Sequence, residues 1–143
     1  MRSMAGASWR TTQDMSMKSE ESAVCLVDDD PLVLNSLRHL LASDGIATRS
    51  FDKGETFLAH IEFYSVALVV LDIWMERVSG LEIMARLFVV SPQTRVIVIT
   101  ARNDLAVRAT AVASSPVAFF IKPFSDEKFL AAVHNALAQA KNS

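Results

Sequence analysis

Apolar positions along this chain follow two alternating periods. Short runs that are almost wholly apolar alternate with stretches where apolar residues return every three or four positions. The first run, Ala23–Val27, predicts a buried strand. It stops at Asp28-Asp29-Asp30-Pro31, where Asp30 suits a helix N-cap and Pro31 the first helical position. Val33, Leu34, Leu37, Leu40 and Leu41 follow at helical spacing, and Gly45 closes that helix. Ile46–Phe51 predicts a second strand. Asp52 to His60 predicts a short helix with Phe57, Leu58 and Ile61 facing inward. Ala67–Leu71 is a third, fully apolar strand. Gly80 to Phe88 reads as a helix burying Leu81, Met84, Leu87 and Phe88, with Ser91-Pro92 in the loop after it. Val96–Ile99 is a fourth strand. A fourth helix of mostly Ala and Val starts at a cap on Asn103 or Asp104. Ala118–Ile121 is a fifth strand. Ser125 caps a last helix whose Phe129, Val133 and Leu137 form an i, i+4, i+8 stripe.

This order is (βα)₅. Strands so uniformly apolar are buried on both faces, which implies a parallel sheet with helices on each side. Right-handed crossovers leave few topologies, and the expected fold is a doubly wound α/β sheet of flavodoxin-like order 2-1-3-4-5. Its functional site belongs at the carboxyl ends of the strands.

Composition narrows the classes. The chain has 143 residues, 51% of them hydrophobic and 21% charged, with net charge −2. That is one domain with a real core. The Lys and Arg residues are scattered, so direct nucleic-acid binding is not expected. The longest apolar run ends at Asp72, far short of a membrane span. With its single cysteine, Cys25, and no signal peptide, the chain is expected in a reducing cytoplasm. Residues 1–22 hold four of the six methionines and no Val, Leu or Ile. They read as a mobile tail, in which Trp9 is the residue that could dock.

The strand ends carry the chemistry. Asp28 and Asp29 follow the first strand, Asp72 the third, Thr100 the fourth and Lys122 the fifth. Three carboxylates in one crevice need positive charge, and a hard divalent cation such as Mg²⁺ is the simplest source. A carboxylate nucleophile at Asp72, with Mg²⁺, the Thr100 hydroxyl and the Lys122 ammonium around it, suits the phosphoryl group of an acyl phosphate.

Four segments carry a family resemblance: Val27-Asp28-Asp29-Asp30, Leu71-Asp72 followed by Met75 and Ser79-Gly80, Ile99-Thr100-Ala101, and Lys122-Pro123-Phe124. In this order and at strand ends, they resemble the receiver (CheY-like) domain of two-component response regulators, over about residues 23–140. The resemblance implies that Asp72 accepts a phosphoryl group from a histidine kinase or phosphotransfer protein. It implies that Asp28, Asp29 and Asp72, with the main-chain carbonyl of Trp74, hold Mg²⁺. It implies that Thr100 and Phe119 are the switch residues, that Lys122 pairs with the phosphoryl group, and that the Lys122–Pro123 bond is cis. The fourth helix, fifth strand and last helix would form the output face or a homodimer face. The expected organisation is a tail over 1–22, a receiver over 23–143 and no output domain. Such a chain is a phosphoacceptor switch rather than a classical enzyme.

Departures from the family pattern stand at Glu76, where proline is common, at Ser115-Pro116, where Gly-Ala is common, and at the large Trp74. Three other readings compete. A haloacid-dehalogenase-type phosphatase would use Asp28 as nucleophile, but Pro31 replaces its usual Gly-Thr and Asp72 would have no task. A flavin module would face three carboxylates where it needs phosphate donors. An adaptor would act through Val117 to Phe120 and the last helix alone. His39, His60 and His134 sit at solvated or intermediate helical positions without ligand spacing, and Cys25 reads as an inert core residue. Ser125-x-x-Lys128 matches a penicillin-binding motif in letters only.

Overall fold

A computed structural model describes residues 19–20, 24–75, 78–101, 108–109 and 115–141. Five strands form one parallel sheet: β1 (Val24–Val27), β2 (Thr48–Phe51), β3 (Leu68–Asp72), β4 (Arg95–Thr100) and β5 (Ala118–Ile121). Their spatial order is β2-β1-β3-β4-β5, the doubly wound order expected. The described helices are α1 (Pro31–Ser43), α2 (Gly54–Ile61), α3 (Gly80–Val90) and the C-terminal α4 (Asp126–Lys141). The fourth predicted helix lies outside the described residues, except that Arg108 and Ala109 are helical.

Strand side chains alternate between faces, and that parity divides the core. Cys25 and Val27 of β1, Val69 and Leu71 of β3 and Val98 of β4 pack with Phe57 and Ile61 of α2 and with Ile83, Met84 and Leu87 of α3. Their neighbours Val24, Leu26, Leu68, Val70, Ile97 and Ile99 face the other way. There they meet Leu34, Leu37 and Leu41 of α1 and Phe129, Val133 and Ala136 of α4. Two faces, each covered by two described helices, account for the apolar runs of β1 and β3.

Local chemistry sets the helix ends. The Leu32 N–H donates to Asp30 Oδ1 at 3.0 Å, with Pro31 in the first turn, as expected. Gly45 closes α1 at φ +75°, a conformation that costs a residue with Cβ more. Ser79 caps α3 by accepting from the Glu82 N–H at 3.2 Å, and Ser125 caps α4 by accepting from the Lys128 N–H at 3.2 Å.

Several boundaries and orientations differ from the sequence reading. β2 starts at Thr48 rather than Ile46, and its Arg49 and Ser50 are exposed, because an edge strand needs cover on fewer sides. α2 starts at Gly54, and α3 runs on to Val90. Phe88, expected in the core, is 79% exposed. Gly80, Ile83, Met84 and Leu87 already fill the i, i+3, i+4, i+7 stripe, so Phe88 falls outside it. His60, expected at a solvated or intermediate position, is buried, stacked on Tyr64 at 4.6 Å and beside Phe51 at 5.1 Å. Leu137 is half-buried, and Ala136 is the neighbour that enters the core. Within the expected tail, Ser19–Glu20 pairs in parallel with Tyr64–Ser65 and so is tethered. The rest of that tail, Trp9 included, lies outside the described residues.

Candidate functional site

The register of the sheet brings the polar strand ends together. β1 pairs Val27 with Leu71, so Asp28 and Asp29 leave the sheet beside Asp72. β3 pairs Asp72 with Ile99, and β4 pairs Thr100 with Ile121, so Thr100 and Lys122 leave beside them. Carboxylate oxygens of Asp28, Asp29 and Asp72 lie within 4.8 Å of one another.

Asp28, Asp72 and Lys122 are each held from behind. Asp28 is buried and accepts the Asp30 N–H at 2.9 Å, a local turn that fixes its carboxylate. Asp72 is 5% exposed and accepts the Trp74 N–H on Oδ1 at 3.1 Å. Gly80 makes this turn possible. Its N–H donates to Ile73 O at 2.9 Å, and a Cβ there would stand 2.6 Å from Asp72 O. The Lys122 N–H donates to Thr100 O at 2.7 Å, and the Lys122–Pro123 bond is cis, as the resemblance implied. Phe124 then packs on Phe120 at 5.4 Å and on Phe129 at 5.2 Å, which pins the loop carrying Lys122 onto α4.

Lys122 is the cation of this crevice among the described residues. Its Nζ lies 2.9 Å from Asp28 Oδ2 and 3.7 Å from Asp72 Oδ2. Of the two carboxylates it reaches, Asp28 is the nearer. Burial, then the Asp28 charge, push the Asp72 carboxyl up from 3.8 to about 6. Lys122 and the Trp74 N–H pull the other way, and Asp29 adds a smaller push. Three carboxylates against one ammonium leave an excess of negative charge. An all-oxygen donor set of that charge fits a hard divalent cation.

Trp74 is 39% exposed at the rim. Thr100 is fully buried, while Phe119 is half-buried. Val98 pairs with Phe119, and Thr100 lies two residues beyond Val98 on the same face of the sheet. The Arg108 guanidinium carbon sits 5.6 Å from the centre of the Phe119 ring. Sequence reasoning named neither Arg108 nor the Asp30 N–H as part of the site. A basic residue on a predicted helix carries no signal of which strand side chain it covers. Glu76 lies outside the described residues.

A family model for the response regulator receiver domain matches residues 24–134. The chain belongs to the response regulator receiver family. Response regulator protein TmoT of Ectopseudomonas mendocina is 32% identical over 124 residues, 87% of this chain and 56% of the relative. Transcriptional regulatory protein FixJ of Bradyrhizobium diazoefficiens is 29% identical over 118 residues, 82% of this chain and 58% of the relative. The chain thus spans somewhat over half the length of these curated relatives. The crystal structure of a response regulator receiver protein from Burkholderia phymatum is 36% identical, with a TM-score of 0.73. The match covers 82% of this chain and 96% of that one. Receivers of this family are phosphoacceptor switches of two-component systems rather than classical enzymes, and they interact with histidine kinases or phosphotransfer proteins. No helix among the described residues is long and apolar enough to cross a membrane.

Proposed function

We propose that Asp72 of this receiver takes a phosphoryl group from the phosphohistidine of a kinase or phosphotransfer protein, in a Mg²⁺-dependent reaction. The observation that carries this reading is the convergence of Asp28, Asp29 and Asp72 on one point with Lys122 beside them. An Asp72 carboxylate oxygen forms a bond to phosphorus as the bond from phosphorus to the donor's imidazole nitrogen breaks. The bonding pair leaves with that nitrogen, and the product is an acyl phosphate. Asp28, Asp29, Asp72 and the Trp74 carbonyl would hold Mg²⁺, which supplies charge neutralisation at the phosphoryl oxygens. Lys122 exchanges its contact with Asp28 for a phosphoryl oxygen. Water attacking the same phosphorus returns the free carboxylate and inorganic phosphate, and Trp74 at the rim slows that step by covering the site.

New phosphoryl oxygens draw the Thr100 hydroxyl toward the crevice. That frees space on its face of the sheet for the Phe119 ring. The surface made by the fourth predicted helix, β5 and α4 then presents a different face to a partner or to a second copy. In this reading residues 23–143 form the receiver, working in the cytoplasm.

Trp74 offers a direct test in a Trp9→Phe background. Its fluorescence should change with Mg²⁺ and again with beryllofluoride, a phosphoryl mimic. Fluorescence unmoved by both would contradict the site assignment.

A further inference from the structure

Phe119 is held from outside as well as from within. Its inner side packs with the cluster built on Val98, Ile83 and Met84. Its outer side carries the exposed Arg108, whose guanidinium carbon lies 5.6 Å from the ring centre. That distance is within the range where a cation is attracted by the negative face of an aromatic ring. The contact is made with the ring half-buried. A ring that moves inward toward the space left by Thr100 withdraws its face from the guanidinium.

We infer that Arg108 is a positioning residue that holds Phe119 in the resting arrangement and so sets the threshold of the switch. The inference rests on the reading of Thr100 and Phe119 as the switch pair. It differs from a packing role, because Arg108 is exposed and its removal leaves no cavity. It acts on one of two states only, so it shifts the balance between them. Loss of the guanidinium therefore favours the inward ring before any phosphoryl group arrives. A lysine at this position keeps a cation within reach of the ring, though without the planar stacking of arginine.

The test uses the full chain with 4-fluorophenylalanine at position 119 alone, read by fluorine NMR during titration with beryllofluoride in Mg²⁺. Wild type should show one resting resonance that moves on saturation. Arg108→Ala should shift the resting resonance part-way toward the saturated position and tighten beryllofluoride binding about two- to five-fold, as an exposed cation–ring contact warrants. Arg108→Lys should fall between wild type and Arg108→Ala. A responsive wild type with unchanged affinity in Arg108→Ala overturns the inference, even if the resting resonance moves from loss of the nearby charge. A wild-type resonance indifferent to beryllofluoride overturns the switch reading itself, and this inference with it.

Discussion

Replacing Asp72 with asparagine should stabilise the fold at neutral pH while removing the nucleophile. Asp72 is 5% exposed, and its carboxylate lies within 4.8 Å of that of Asp28. Its folded-state value of about 6 lies above the 3.8 of an unstructured chain. Between those two values the folded state holds more proton than the unfolded state. Stability linked to this group is therefore complete below 3.8 and is lost as pH rises through about 6. The displacement corresponds to about 3 kcal/mol of strain in the ionised form at neutral pH. Asparagine keeps the acceptor for the Trp74 N–H and carries no charge, so it relieves most of that cost. The expected gain is about 1–3 kcal/mol at neutral pH and near zero at about pH 4. Urea unfolding of both proteins in chelator, at the two pH values, measures it. Added Mg²⁺ should then narrow the gap, since it stabilises the wild type more. A variant no more stable than wild type at neutral pH, or equally favoured at both pH values, would refute the electrostatic reasoning.

Other outcomes follow from the same geometry. Lys122→Met leaves Asp28 and Asp72 without their ammonium and should cost about 3 kcal/mol in chelator at neutral pH, read by denaturant unfolding. Gly80→Ala places a methyl 2.6 Å from Asp72 O and should cost about 1–3 kcal/mol, with weaker Mg²⁺ binding by fluorescence. Ser115 holds φ at 58°, so Ser115→Gly should raise stability by about 1 kcal/mol in thermal unfolding. Phe88→Ser should stay within about 0.5 kcal/mol of wild type, whereas Ile83→Ala should cost about 2–5 kcal/mol by the same denaturant curves.

Strand order and the convergence of the acids were legible because each rests on a strong local signal. Val24–Val27 and Leu68–Leu71 are apolar on both parities, which only a sheet covered on both faces requires. Asp30-Pro31 and Ser125 announce their helices through capping chemistry. Phe88 and His60 were misread for different reasons. Leu87-Phe88-Val89-Val90 is apolar at every position, so the sequence alone does not show which of them completes the stripe begun by Ile83 and Met84. His60 is buried by Phe51 and Tyr64, neighbours that only the tertiary fold supplies. The preference of Lys122 for Asp28 likewise depends on side-chain reach within the crevice. Arg108 over Phe119 joins a helix to a strand that pairs elsewhere, and no sequence spacing encodes it.

Phosphoryl incorporation at a single residue is the most direct test of the account. The protein is incubated with a small acyl-phosphate donor and Mg²⁺, reduced with borohydride to trap acyl phosphates, and mapped by peptide mass spectrometry. The account predicts one modified residue, Asp72, with no modification in chelator or in Asp72→Asn. A phosphoryl group found at Asp28, or one that persists in Asp72→Asn, would contradict it.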